Sequence, residues 1–159
     1  MQTTNTVLMI RPARFAFNPD TAFNNRFQQP FLAPEQAQQK ALEEFDGYVD
    51  TLRQHGVDVL VVQDTPAPHA PDSIFPNNWW SSHADGSLVL YPMEGQNRRL
   101  ERNKGVLRVL EERFAIHTTI DLSPLEQQSM FLEGTGSMVL DRQQRICYAG
   151  YSTRTHARA

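Results

Sequence analysis

Two short segments hold the side chains best suited to chemistry. The first reads Asp72-Ser-Ile-Phe-Pro-Asn-Asn-Trp-Trp, and the second reads Phe131-Leu-Glu-Gly-Thr-Gly-Ser. Each joins an extended apolar approach to a tight polar turn, an arrangement by which a strand delivers side chains to a pocket. Asn77 and Asn78 offer amide donors and acceptors, and Glu133 offers a carboxylate beside glycines. Together they predict a site for a polar small molecule.

The composition limits the class of protein. The chain has 159 residues, a net charge of −3 and a pI near 5.9, and 40% of its residues are hydrophobic. This length predicts one domain with a core, and the acidic balance argues against a nucleic-acid partner. Neither a membrane span nor a signal peptide is indicated, so we expect a cytoplasmic protein without a membrane partner. A single cysteine excludes an intrachain disulfide framework.

Metal and phosphate sites are disfavoured by the spacing of the residues. The histidines lack metal-ligand spacing, so no metal is predicted. The turn Gly134-Thr-Gly-Ser has neither the dinucleotide-binding glycine pattern nor the lysine of a Walker loop. His83 follows the first motif and is a candidate only for the edge of the site.

The elements that must position these residues alternate between strands and helices. Apolar runs predict strands at residues 7–10, 57–62, 88–91 and 116–122. Helical spacing predicts one helix at 34–55, opened by Pro34 and closed by Gly56, and a second helix from Asn97. The dipeptide Asp85-Gly86 predicts a hairpin turn before the third strand.

The second predicted helix is amphipathic. Its apolar stripe consists of Leu100, Leu107, Leu110 and Phe114. Arginines lie largely outside that stripe, at Arg98, Arg99, Arg102 and Arg108. Because glutamates dilute their charge, we interpret them as a solvated helix face rather than a phosphate-binding surface.

The pattern restarts a third time. Ser129-Met-Phe aligns with Ser73-Ile-Phe, and Asp141 aligns with Asp85, which gives a period of about 55 to 60 residues. Each unit would be a hairpin, a helix and a strand, and about two and a half units are present. An array interrupted within a unit leaves an uncovered edge. We therefore expect residues 1–159 to be a single domain, the N-terminal portion of a longer protein.

The motifs together resemble the guanidine-modifying enzyme superfamily. The resemblance rests on Arg11-Pro12, the loop at 17–28, Phe75-Pro-Asn-Asn-Trp-Trp and Leu132-Glu-Gly-Thr-Gly-Ser-Met-Val-Leu-Asp. The nearest branch is the arginine deiminase-related amidinotransferases, including the citrulline-utilisation hydrolases. The resemblance implies the pentein fold, an α/β propeller of pseudo-repeated units around a central substrate cavity.

The resemblance also implies a mechanism. A cysteine thiolate attacks the central carbon of a guanidinium or ureido group, a histidine transfers protons, and water or an amine resolves the covalent intermediate. No metal or organic cofactor takes part. In this family the cysteine and the histidine lie in the second half of a chain about twice this long. Cys147 stands in a predicted strand, and we interpret it as a buried structural thiol.

By position the resemblance assigns the site residues. Glu133 matches the acidic residue that supports the substrate nitrogens and proton transfer. Asn78, with Asn77 as the adjacent candidate, stands near the place where many relatives have an aspartate. Because asparagine offers a donor and an acceptor, a neutral ureido group fits it better than a guanidinium cation, which predicts citrulline-like over arginine-like substrates. The predicted substrate-binding residues are Asn77, Asn78, Asp72, Phe75 and Trp79.

Other interpretations stay open from the sequence. A half-propeller without its nucleophile could bind a small molecule without turnover, or could assemble with a partner chain, and a homo-oligomer is compatible with either. Asn77 and Asn78 could serve only their own turn. Glu133 could be a hairpin-turn carboxylate that faces solvent.

Overall fold

The computed structural model describes residues 3–22 and 33–159. They divide into two compact units, Thr3–Phe75 and Pro76–Ala159, and the division falls inside the first motif. That the two units belong to a single domain stays a prediction. Of the loop at 17–28, residues 23–28 lie outside the described part of the chain.

The first unit is a strand–helix–strand arrangement. Its elements are β1 (Thr6–Arg11), the short α1 (Pro19–Ala22), α2 (Pro34–Gln54) and β2 (Asp58–Gln63). β1 and β2 pair in parallel, with Ile10 opposite Val62. Parallel neighbours need a long crossover, and α2 supplies it. The predicted strands and helix are thereby confirmed to within a residue or so at each end.

The second unit opens with the hairpin and helices that the repeat predicts. A 3₁₀ turn (Pro76–Asn78) leads into β3 (Trp80–Ser82), which pairs antiparallel with β4 (Ser87–Leu90). Next come α3 (Gln96–Arg99), a 3₁₀ turn (Leu100–Asn103), α4 (Val106–Arg113) and β5 (Thr118–Asp121). β5 pairs in parallel with β4. Hairpin, helix and strand therefore follow one another as predicted.

The predicted continuous helix from Asn97 is wrong, because the chain breaks at Gly105. This residue has a φ of 77°, in the left-handed region that favours glycine, and it ends one helical segment and precedes α4. The apolar stripe is divided as a result. Leu110 is buried, whereas Leu100 and Phe114 are 38% and 40% exposed.

The second unit closes with another hairpin. A 3₁₀ segment (Ser123–Gln128) and the short α5 (Gly134–Ser137) precede β6 (Met138–Asp141) and β7 (Ile146–Ala149), which pair antiparallel. The Asp141 carboxylate accepts backbone hydrogen bonds from Gln143 and Gln144, which confirms its predicted place in the turn.

The three sheets of the described residues are small, and none of them closes on itself. The propeller and the number of its units stay predictions. No helix within residues 3–22 or 33–159 has both the length and the apolar character needed to cross a membrane.

Candidate functional site

The second motif folds into a tight turn that fixes the backbone of Glu133. The Glu133 N–H donates to Ser137 Oγ at 3.0 Å and to the Arg154 carbonyl at 3.2 Å. Ser137 Oγ in turn donates to the same Arg154 carbonyl at 2.6 Å. Because α5 begins directly after Glu133, the carboxyl group is carried by a backbone held at several points.

The Glu133 side chain is 2% exposed. The alternative in which Glu133 is a hairpin-turn carboxylate facing solvent is therefore wrong. Its Oε1 accepts the Glu94 N–H at 3.0 Å, and its Oε2 lies 3.4 Å from Arg154 Nη1. Burial raises the pKa of Glu133, while the Glu94 N–H and the charges of Arg98 and Arg154 oppose that rise. A buried carboxyl with a raised pKa and fixed partners is suited to proton transfer.

The first motif brings a half-buried amide to the same unit. Asn78 Oδ1 accepts a hydrogen bond from Arg98 Nη1 at 3.1 Å. The other side of the Arg98 guanidinium is bound by Glu101, from Nε at 2.8 Å and from Nη2 at 3.1 Å. Arg98 and Glu101 are 5% and 2% exposed. Within the described residues, the bond from Arg98 engages the oxygen of the Asn78 amide, and the N–H donors of its NH₂ group remain for another partner.

The glycines of the second motif let the two motifs meet. A Cβ on Gly134 would overlap the backbone carbonyl of Asn77. A Cβ on Gly136 would lie 2.6 Å from Asn78 Nδ2 and 3.2 Å from Arg154 Nη1. The amide of Asn78, the guanidinium of Arg154 and the turn of Glu133 therefore converge around Gly136.

Asn77 takes part in the contact between the two motifs, where it is hydrogen-bonded to Thr135. Its Nδ2 donates to Thr135 Oγ1, and Thr135 Oγ1 reaches the Asn77 carbonyl at 3.4 Å. The side chain of Asn77 thus joins the 3₁₀ turn to α5. This contact supports a structural role for Asn77, while its predicted contact with substrate stays a prediction.

Three other predicted substrate-binding residues have different surroundings. Asp72 belongs to the first unit and is 4% exposed; its Oδ2 accepts hydrogen bonds from Asn18 Nδ2 at 2.6 Å and Thr21 Oγ1 at 3.1 Å. Phe75, in the same unit, is 44% exposed. Trp79 has no exposed surface and packs edge-on against Trp80, so it lies in the core. Their roles in binding stay predictions.

The site also contains charged residues that the sequence motifs did not indicate. They are Arg98, Glu101, Glu94 and Arg154. The interpretation of a solvated arginine face is wrong for Arg98, which is buried, although Arg108 has a side chain 80% exposed. The spacing of Arg98 and Glu101, three residues apart on a helix, was the available signal, because such residues face each other. Nothing in the local sequence pointed to Glu94 or Arg154.

Cys147 is exposed, so the prediction of a buried thiol is wrong. It lies on β7, whose only partner strand among the described residues is β6. Its thiol lies 3.5 Å from the Met138 sulfur. All four residues of β7 are exposed among the described residues, so the exposure of Cys147 is shared by the whole strand.

His83 is hydrogen-bonded on both ring nitrogens. Arg142 Nη1 lies 3.2 Å from Nδ1, and Ser81 Oγ lies 3.0 Å from Nε2. Because a guanidinium only donates, Nδ1 accepts and Nε2 carries the proton. Burial, with the charge of Arg142, lowers the pKa of His83, and Asp85 opposes this. In the part of the chain that the structure describes, no cluster of three or more histidine, cysteine or acidic residues could hold a metal ion.

A family model matches nearly the whole chain. The model is described as N,N dimethylarginine dimethylhydrolase, eukaryotic, and it matches residues 11–159. Among curated protein sequences, none gives a significant match.

Solved structures share the fold. The N-terminal domain of ArgZ, an arginine dihydrolase from the ornithine–ammonia cycle in Cyanobacteria solved with substrate, is 23% identical with a TM-score of 0.66; the match covers 96% of this chain and 51% of that one. Unliganded AgrE is 23% identical with a TM-score of 0.68, and the match covers 98% of this chain and 21% of AgrE. DDAH from Pseudomonas aeruginosa in complex with citrulline is 18% identical with a TM-score of 0.63, covering 96% and 52%. The chain therefore spans about half the length of the ArgZ domain and of DDAH.

Proposed function

The chain belongs to the N,N dimethylarginine dimethylhydrolase family of the guanidine-modifying pentein superfamily, and from this premise we propose that it carries part of the active site of a C–N hydrolase. The substrate would be a ureido or guanidino amino acid. The observation that carries the proposal is the buried Glu133 carboxyl, 2% exposed, in the same cluster as the Asn78 amide. The arginine-binding and citrulline-binding neighbours support this substrate class.

Glu133 would act as the proton-transferring group and as an acceptor for substrate N–H groups. A raised pKa keeps a proton on the carboxyl to higher pH than an exposed glutamate would allow. The hydrogen bond from the Glu94 N–H fixes one carboxyl oxygen at 3.0 Å and leaves the other toward Arg154. A carboxyl in this setting can give a proton to a departing nitrogen and take one from water.

Asn78 would favour citrulline over arginine. Its Oδ1 accepts a hydrogen bond from Arg98, so the NH₂ group is the end of the amide that is turned away from Arg98 and can donate to a ligand. A ureido carbonyl accepts such a hydrogen bond, whereas a guanidinium group carries donors only. The donor end of the Asn78 amide, rather than both of its ends, therefore supports the preference for citrulline.

The nucleophile would be a cysteine thiolate supplied from outside these 159 residues. The thiolate attacks the ureido carbon of citrulline, and the bond to the side-chain nitrogen of ornithine breaks as that nitrogen takes a proton from Glu133. Water then attacks the S-carbamoyl carbon, the Glu133 carboxylate takes a proton from that water, and the C–S bond breaks to give carbamic acid and the thiolate. Two of the similar structures hold substrate or citrulline with a cysteine replaced by serine, which supports a thiolate mechanism.

The test is release of ornithine from citrulline by the full-length protein. We expect turnover with citrulline, a lower kcat/KM with arginine, and a fall in kcat of about a hundredfold or more in Glu133→Gln, since general acid–base groups contribute about 10²–10⁴-fold. The exposed Glu111→Gln on α4 is the matched control and should leave kcat unchanged. Binding of citrulline without turnover would contradict the hydrolase and favour the non-catalytic binding protein.

A further inference from the structure

The guanidinium of Arg98 is held in one orientation. Glu101 binds its Nε and Nη2 edge through both carboxylate oxygens, at 2.8 and 3.1 Å. Both side chains are more than nine-tenths buried. A fork-to-fork pair of this kind fixes the plane of the guanidinium as well as its position. The remaining nitrogen, Nη1, therefore points in a defined direction.

That nitrogen decides which way the Asn78 amide faces. Arg98 Nη1 lies 3.1 Å from Asn78 Oδ1. Because a guanidinium has donors and no acceptor, the amide oxygen must face Arg98, and the opposite assignment would set donor against donor. The Nδ2 group is consequently turned away from Arg98, to the side of Gly136, where a Cβ would lie 2.6 Å from it.

We propose that Arg98 is a positioning residue that fixes the Asn78 amide with its NH₂ group toward the substrate, and so selects a ureido oxygen over a guanidinium nitrogen. The inference rests on the function proposed above and adds to it the residue that sets the preference. Asparagine by itself can present either end of its amide to a ligand. The contact with Arg98 turns Oδ1 toward Arg98, so that the opposite end of the amide carries the N–H donors.

The test compares substrate preference in the full-length protein. Removing Arg98 alone would take two charged hydrogen bonds from the buried Glu101 carboxylate, and breaking one side of a buried ion pair destabilises proteins strongly. The main variant is therefore Arg98→Met with Glu101→Leu. We expect its ratio of kcat/KM for citrulline over arginine to fall about tenfold, the scale of one hydrogen bond. Arg98→Lys, which can still pair with Glu101 but cannot also reach Asn78 in the same fork, should lower the ratio in the same way and serves if the double variant does not fold.

Arg102→Met is the matched control. Arg102 donates to both oxygens of Glu126 at 2.7 Å, and its side chain is 16% exposed. This change breaks an arginine–glutamate pair on the same helical segment, so it should lower stability while leaving the substrate ratio unchanged. An equal loss of activity toward both substrates in the Arg98 variants would mean a merely structural role and would overturn the proposal.

A double-mutant cycle separates orientation of the amide from a general effect of charge. In an Asn78→Ala background there is no amide to orient, so the Arg98 change should no longer alter the ratio. An undiminished effect of Arg98 in that background would show that Arg98 acts without Asn78, against the proposal.

A measurement without turnover keeps this inference distinct from the proposed function. If the full-length protein releases no ornithine, the hydrolase fails, but the amide can still be observed by NMR. We expect nuclear Overhauser contacts between the Asn78 NH₂ and the Gly136 α-protons in the wild type, weakened in Arg98→Lys. Contacts of unchanged strength in that variant would show that Arg98 does not position the amide.

Discussion

At the scale of single residues, the site is built around a carboxyl group under opposed influences. Glu133 is removed from water, which favours its neutral form, while the Glu94 N–H and two arginines favour the charged form. The net result is a raised pKa. The raised pKa on which the proposed proton transfer rests therefore comes from burial more than from any one contact.

The raised pKa predicts how stability depends on pH. The folded protein binds the Glu133 proton more tightly than the unfolded chain does, so this group contributes most below its ordinary pKa of 4.5 and loses that contribution as pH rises through the raised value. Compared with Glu133→Gln, the wild type should lose free energy of unfolding across this window. Urea denaturation of both proteins from pH 4 to pH 8 measures the difference.

Glu111→Gln gives the reference for this comparison, because Glu111 lies exposed on α4. Its free energy of unfolding should stay within about 0.5 kcal/mol of the wild type. If the difference between wild type and Glu133→Gln did not change with pH, the carboxyl would not be titrating as a buried group.

At the scale of elements, the site depends on one close contact. The 3₁₀ turn at Pro76–Asn78 lies so close to the start of α5 that a Cβ atom at Gly134 or Gly136 would overlap its neighbours. The two contacts differ in kind. Gly134 faces backbone, which cannot give way, whereas Gly136 faces the ends of the Asn78 and Arg154 side chains, which can move.

This difference predicts unequal effects of the same substitution. Gly134→Ala should lower the free energy of unfolding by about 3 kcal/mol, the upper part of the range for overpacking. Gly136→Ala should cost less stability but raise the KM for citrulline, because the new methyl displaces the Asn78 amide. Gly150→Ala, with nothing within 4 Å, is the control and should change stability by less than about 0.5 kcal/mol. Equal losses at Gly134 and Gly150 would refute the close contact.

The helix α2 offers a stabilising change. Gly47 lies exposed in its interior, and a Cβ there would meet nothing within 4 Å. Gly47→Ala should raise the free energy of unfolding by about 0.5–1 kcal/mol, since alanine loses less backbone entropy in a helix. Gly56→Ala, just past the helix at a φ of 79°, should lower it. Thermal denaturation of both variants measures this, and a loss of stability in Gly47→Ala would contradict the open environment.

At the scale of the whole molecule, the described residues hold the groups to which we assign binding and proton transfer, while their one thiol lies exposed on a two-stranded sheet. Cys147 lies on β7, in the hairpin β6–β7, where Val139 and Tyr148 are 67% and 58% exposed. The chain spans about half the length of the ArgZ domain and of DDAH. This arrangement agrees with the proposal that the nucleophile comes from elsewhere.

Cys147→Ser tests that proposal directly. The full-length protein should keep its rate of ornithine release within about twofold, because the proposal assigns the attack to a different thiolate. A loss of activity by several orders of magnitude would identify Cys147 as the nucleophile. The stability of the variant, measured in parallel, separates that result from misfolding.

The sequence by itself determined β1, β2, β4, β5, helix α2 and the position of the two motifs, although not the break in the second predicted helix. Pro34 and Gly56 at the ends of α2, the apolar runs and the Asp85-Gly86 turn act over a few residues, so they could be identified from the local sequence. Glu133 and Asn78 were found because their motifs are distinctive, and the same motifs indicated the family.

Only the tertiary structure decided how the site is charged and oriented. From the sequence Arg98 was interpreted as a surface residue, but it is buried and paired with Glu101. Arg154 contacts Glu133 from 21 positions along the chain. Burial and hydrogen bonds between distant residues follow from packing, which no local pattern records. The polar motifs were therefore evident from the sequence, while the raised pKa of Glu133 and the direction of the Asn78 amide required the fold.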